Sequence, residues 1–267
     1  MSPPRFHPDP ARLLADSIAE ELRHAGVRDD VRDGLQGAKK NYAENLSRAL
    51  AQRFADALRA KNFPEILPDE KGRRHESRAL GVKGPKKLDV NYSTPELGLG
   101  LGVSIKTIGF PDAKTKRFTK NYTARDNEFR AEAEDYHLRQ PYAVLVGILF
   151  LPLEATADGS PRAPSSFASA VAHFRLRALR RTPRDRPTLF EKFFVGLYET
   201  RQSRFGDVAF FDVETDPPRT GRPEATIGFA DLVDVICATF VARNSIAPTW
   251  LEEASTAVDA ADDAEDQ

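Results

Sequence analysis

The feature that most restricts the fold is the apolar run Tyr142 to Leu153, with AVLVGILF at its centre. A strand covered on both faces reads as a continuous apolar run, whereas a half-exposed one alternates. At about twelve residues the run is too short and too β-branched to span a bilayer. It is the best candidate in the chain for a central strand. Two amphipathic helices are also legible. Ala38 to Lys61 carries the stripe Tyr42, Leu46, Leu50, Phe54, Ala57 and Leu58 at helical spacing. Thr123 to about Leu138 carries Phe129, Ala133 and Tyr136, with Thr123 and Asp126 spaced as a capping box.

Between these two helices lies Lys86 to Thr107, KKLDVNYSTPELGLGLGVSIKT. It predicts a β-hairpin, with strands near 87–91 and 101–108 and a turn marked by Pro95 and the glycines at 98, 100 and 102. Those glycines lack the strand–loop–helix context of a phosphate-binding loop, so they read as sites of tight turning or close backbone approach. The hairpin brings Asp89 near Lys106. Phosphodiester hydrolysis needs a divalent metal, an activated water and positive charge for the developing phosphate. Carboxylates hold Mg²⁺, and a lysine can orient or deprotonate the water.

Elsewhere the chain adds a helix over 11–25, with Leu13, Leu14, Ile18 and Leu22 on one face. A Pro/Ser/Gly loop at 155–165 precedes a helix over 165–181 with a basic end. Residues 189–197 fit either a strand or a helix, 207–213 a strand, and 229–243 a closing helix with Leu232, Val235, Ile236, Phe240 and Val241 inward. One cysteine, Cys237, excludes internal disulfides and all-cysteine metal sites and suits a reducing cytoplasm. Asp9, Asp16, Glu20 and Glu21, with no apolar stretch among them, argue against a secretory signal. His137 and His173 read as structural, and His75 as a surface residue or a DNA contact.

The net charge of -1 conceals an asymmetry. Seven of the 40 acidic residues fall in 249–267, which has no basic residue, so the rest of the chain carries 39 bases against 33 acids. That surplus permits nucleic-acid binding. The acidic segment is expected to be a disordered tail, serving solubility or shielding a basic face when DNA is absent. The segment 114–125 is basic, and Lys116, Arg117, Lys120, Asn121 and Arg125 are candidate DNA contacts. Residues 175–186, with six arginines among them, form a second candidate patch.

The order helix, hairpin bearing Asp89 and an x-Lys106 element, helix, strand resembles the PD-(D/E)XK nuclease superfamily over about residues 38–152. The resemblance implies an α/β fold with a restriction-endonuclease-like core, a central mixed β-sheet flanked by helices, and a C-terminal α/β extension over 153–248 in one domain. It implies Mg²⁺, double-stranded DNA as substrate, a cytoplasmic restriction or phage-defence endonuclease, and a homodimer if both strands are cut. One position departs from the pattern: Ser104 stands where the family has a carboxylate. Some restriction endonucleases of the superfamily carry Ser-x-Lys here and take the carboxylate from the following helix. Glu128 and Glu132 lie on that helix, with Glu128 preferred as nearer its start and further from the buried stripe. Glu96 in the turn is a third option, and Glu132 with Tyr136 resembles a relaxed Gln-x-x-x-Tyr element of helicase-associated members. Glu44 matches the acidic residue many members carry on the helix before the hairpin; Lys39 and Lys40 at the start of that helix read as a solvated end or as phosphate contacts. The implied metal ligands are therefore Asp89 with Glu128 or Glu132, and Lys106 acts on the water. A repair or mobile-element nuclease, or an inactive DNA-binding subunit, remains compatible with the same residues.

Overall fold

The computed structural model describes residues 10–32, 36–75, 77–81, 84–95 and 98–244. Glu76, Glu96, residues 1–9 and the acidic segment 249–267 lie outside the described residues. The chain forms α1 (Pro10–Leu13), α2 (Ala19–Ala25), α3 (Arg28–Arg32) and α4 (Gln36–Arg59), then β1 (Ser77–Gly81), β2 (Gly84–Leu88), β3 (Val90–Thr94) and β4 (Gly98–Thr107). It continues with α5 (Tyr122–Arg139), β5 (Val144–Pro152), α6 (Ser166–Phe174), β6 (Lys192–Tyr198), β7 (Val208–Asp212) and α7 (Phe229–Asn244).

Strands β3-β4-β5-β6-β7 form one mixed sheet in that order, while β1 and β2 make a separate antiparallel ribbon. The outer pairs β3/β4 and β6/β7 are antiparallel, and β4/β5 and β5/β6 are parallel. The apolar run is indeed central, and every residue of β5 is buried. Its side chains divide by strand alternation. Val144, Val146, Ile148 and Phe150 meet α2, α4 and α7, whereas Leu145, Leu149 and Leu151 meet α5 and α6. The result is an α/β protein with a mixed five-stranded sheet flanked by helices. Strands β6 and β7, C-terminal to β5, belong to the same sheet. The ambiguous segment 189–197 resolves mainly as strand β6.

Aromatic packing fixes α5 on the sheet. The Phe129 ring meets Phe193 edge-on at 4.8 Å, and Phe174 stacks on Phe193 at 5.3 Å. Phe193 occupies the space over Gly147, where an added Cβ would lie 2.5 Å from its ring. In the hairpin, Gly98 has φ +67°, the left-handed region that glycine enters without steric cost. A Cβ on Gly102 would meet Leu145 at 2.8 Å and Leu88 at 2.9 Å.

Several expectations need correction. The helix over 11–25 is broken, because the buried Arg53 guanidinium takes the carbonyls of Arg12, Ala15 and Ser17 and holds that segment out of helical pairing. The capping box does not form: Asn121 is the N-cap of α5, and Asp126 instead accepts from Arg177 at 2.6 and 3.0 Å. The helix over 165–181 stops at Phe174, capped at its start by Ser165 Oγ accepting from Ala168 N–H at 3.1 Å. Val241 is exposed, not inward.

The second basic patch is mostly structural. Arg175 donates to Val213 O at 2.6 Å, and Arg181 pairs with Glu214. Arg180 is buried, with Nη1 2.9 Å from Glu191 Oε1. Glu191 also accepts from Leu145 N–H at 2.7 Å, lies 3.2 Å from Arg243 and lies 3.4 Å from His137. This buried cluster joins α5, α7 and the start of β6.

Candidate active site

Strand β4 is ten residues long and β3 only five, so β4 runs on past its outer neighbour. The last register pair on that side is Val90 with Val103. Beyond it, two side chains take the place of a neighbouring strand. Asp89 Oδ2 accepts from Ile105 N–H at 2.7 Å, and Ser47 Oγ of α4 donates to Ile105 O at 3.5 Å. Asp89 is thus fixed at the beginning of β3 by the main chain of the strand that carries Lys106.

Strand alternation sends Ser104 and Lys106 to one face and Ile105 to the other. Ile105 joins the core under α4. On the opposite face α5 supplies Glu132, which sits beside the buried stripe of Phe129, Ala133 and Tyr136. Lys106 Nζ lies 2.7 Å from Glu132 Oε1, and Ser104 Oγ donates to Glu132 Oε2. The ammonium also lies 5.8 Å from the Phe129 ring centroid. Both partners are mostly buried, with 16% and 18% of their side chains exposed. Burial pulls the Lys106 pKa down, but the charges of Glu132, Asp89 and Glu128 outweigh it and hold it above the ordinary lysine value.

Glu132 and Glu128 therefore occupy different settings. Glu132 touches both residues of the Ser-x-Lys element. Glu128, one turn earlier, is more exposed and pairs with Arg125 at 2.8 Å. Its carboxylate faces the same cleft as Asp89 and Lys106. That cleft encloses about 980 Å³ between the N-terminal half of α4 and the segment from Thr107 to the start of α5. Glu44 lines it from α4, exposed and 3.7 Å from Lys40.

The walls are basic. Arg117, Lys120, Asn121 and Arg125 line one side, and Lys39, Lys40 and Arg48 the other. Lys116 is exposed with φ +58° and is not part of the lining. The loop is held by Asp112, which accepts from Lys114 and Thr115 N–H at 3.0 and 2.9 Å and pairs with Lys120 at 3.1 Å. These bonds, that from Thr115 N–H foremost, hold the Asp112 carboxyl far below the usual range. His75 also lines the cleft, whereas His137 and His173 are packed among core residues. Sequence reasoning overlooked Arg48 and Ser47. Arg48 was within reach of it, lying four residues after Glu44 and so on the same helix face.

Among the described residues, no group of three or more His, Cys, Asp or Glu side chains is set to hold a metal ion, and no helix is long and apolar enough to cross a membrane. No protein-family model, curated protein or solved structure matches the chain.

Proposed function

We propose that the protein is a Mg²⁺-dependent nuclease of restriction-endonuclease-like fold that hydrolyses phosphodiester bonds in double-stranded DNA. The observation that carries this reading is the meeting of Glu132 with Ser104 and Lys106 beside Asp89. It is the arrangement a displaced carboxylate requires. The order α4, β3–β4, α5, β5 adds support, since it resembles the core order of the PD-(D/E)XK superfamily.

The donor set suits a small hard cation. Mg²⁺ takes one or two carboxylates, keeps several waters and shares the substrate's phosphate, so a three-residue protein cage is not required. Asp89 and Glu132 would hold it. A carboxylate has about four acceptor sites, so a contact to Ile105, Ser104 or Lys106 does not by itself bar a cation. Bound there, Mg²⁺ supplies an acidified water and offsets charge on the phosphate.

The chain's own residues do the rest. Lys106, beside its carboxylate neighbours, orients or activates the attacking water and offsets charge on the pentacovalent phosphate. Ser104 keeps Glu132 turned toward the strand. Glu44, on the opposite wall, acts through water. The basic walls neutralise flanking phosphates and position the duplex without reading sequence. Cutting both strands calls for two such sites, hence a homodimer, and restriction or phage defence is the role the family resemblance suggests.

The test is plasmid cleavage with Mg²⁺. Asp89→Asn, Glu132→Gln and Lys106→Ala are each expected to lose on the order of 10² or more in rate, and Glu128→Gln less than about tenfold. Equal cleavage by the wild type, Asp89→Asn and Lys106→Ala would falsify the assignment. DNA binding without cleavage in every case points instead to an inactive subunit.

A further inference from the structure

Two phenylalanines line the cleft. Phe118 is buried in the core under α5 and α6, whereas Phe110 is only half-buried. The ring of Tyr42 meets that of Phe110 edge-on at 5.4 Å and props it against the core under α4. Two cations attend the Phe110 ring, with Arg28 Cζ and Lys39 Nζ each 5.6 Å from its centroid. They are held differently. Arg28 is fixed, because it donates to Gly109 O at 2.9 Å and pairs with Glu154. Lys39 makes no ion pair or hydrogen bond among the described residues and has only the ring beside it.

Tracking a phosphate backbone calls for cations, not for a phenyl ring. In an intact duplex each base face is covered by its neighbours in the stack, so paired DNA offers Phe110 nothing to pack on. An unstacked nucleotide matches both groups. Its base has a π face for the ring, and its phosphate suits the Lys39 ammonium, which can leave the ring on its flexible stem. The position is close to the chemistry. Phe110 follows Lys106 by four residues, so their Cα atoms are at most about 14 Å apart. A stacked strand advances about 3.4 Å per nucleotide, which puts the ring within about four nucleotides of a phosphate at Lys106.

We propose that Phe110 is a stacking platform for an unpaired base, and that the cleft prefers DNA with an unstacked nucleotide near the phosphate to be cut. This rests on the DNA-cleaving reading above and adds a substrate preference to it. Phe110 binds the base and takes no part in breaking the bond.

The probes are two end-labelled duplexes of one sequence, one fully paired and one bulged by a run of unpaired adenines. Binding is followed by fluorescence anisotropy with Ca²⁺ in place of Mg²⁺, with a gel to check that the label stays on intact DNA. Wild type is expected to bind the bulged duplex at least about fivefold more tightly, the lower end of what one stacked base contributes. Phe110→Leu keeps an apolar side chain against Tyr42, so its melting temperature should stay near that of wild type. It should lose the preference while binding the paired duplex within about twofold of wild type, and Phe110→Ala should do the same. Equal binding of both probes by wild type, or a preference that survives in Phe110→Leu, overturns the proposal and leaves the nuclease reading standing. An equal loss on both probes in Phe110→Leu also overturns it, since the ring is then a general contact. If wild type binds neither probe, the DNA reading fails and the proposal falls with it.

Discussion

The contact of Glu132 with Lys106 can be tested without assuming any activity. Glu132→Ala strands the Lys106 ammonium in a site only 16% exposed, and it leaves Ser104 without its acceptor. Breaking a fully buried ion pair from one side costs about 3–5 kcal/mol. Here the site opens to the cleft, and Asp89 and Glu128 still act on Lys106, so roughly 2–3 kcal/mol is the appropriate loss. For a chain of this size each kcal/mol lowers the melting temperature by about 2–4 °C, which gives a drop of roughly 4–12 °C. Glu132→Gln keeps an acceptor for Lys106, and its amide can donate to Ser104, so it should cost about 1 kcal/mol or less. The Lys106 pKa is raised on folding, so its share of the stability is complete below the unfolded value of about 10.4 and is lost as pH rises through the folded value. The gap between wild type and Glu132→Ala should therefore hold at neutral pH and narrow in strong alkali. The assay is thermal and urea denaturation of wild type, Glu132→Ala, Lys106→Met and the double variant. A coupling energy indistinguishable from zero in that cycle, with an unchanged melting temperature for Glu132→Ala, would show that the pair does not form in solution.

Three further outcomes follow from other parts of the molecule. Gly147→Ala sets a methyl against Phe193 and should cost about 1–3 kcal/mol in urea denaturation, whereas Gly221→Ala, with open space around it, should cost only its backbone strain. Glu191→Ala leaves Arg180 buried without its acid and should cost about 3–5 kcal/mol. Burial pushes the Glu191 carboxyl up, but His137, the Leu145 N–H and Arg180 together hold it below the ordinary value. Its stabilisation is present above the unfolded pKa and disappears as pH falls through the folded one, so acid melts of wild type and Glu191→Gln should converge at low pH. If the basic walls track phosphates, Arg48→Ala should weaken DNA binding and reduce the slope of log affinity against log salt by about 0.9, measured by fluorescence anisotropy; an unchanged slope removes Arg48 from the interface.

Local pattern carried much of the fold. The continuous apolar run of β5 and the stripes of α4 and α5 each depend on neighbours in sequence, and these elements lie close to where their patterns placed them, whereas the hairpin is displaced: Gly98, Gly100 and Gly102 lie within β4 rather than in the turn, and the strand before them spans Val90–Thr94 rather than 87–91. What escaped depends on partners far along the chain. Arg53 breaks the first helix by reaching back 36 to 41 residues, and Asp126 is drawn from its cap by an arginine 51 residues away. The arginines of 175–186 look like a basic face only while the carbonyls and acids that hold them are out of view. In the site, sequence placed Asp89, Ser104, Lys106 and the α5 carboxylates in one neighbourhood but could not say which carboxylate makes contact. Distance from the apolar stripe favoured Glu128. Because α5 lies flat on the sheet, it is the residue at the stripe's edge, Glu132, that meets β4.

The way β4 outruns β3 has a consequence for the solution behaviour of the protein. A strand with an unpaired rim is an open template for another chain. Here the rim at Ile105 is closed by two side chains, the carboxylate of Asp89 on the amide and the hydroxyl of Ser47 on the carbonyl. Asp89 is then a guard against self-association as well as a proposed metal ligand. Truncating it to alanine uncovers both roles at once, so a sluggish or precipitating Asp89→Ala protein would say little about chemistry. Asparagine keeps an oxygen on the Ile105 amide while removing the charge, which makes it the substitution that separates colloidal from catalytic effects.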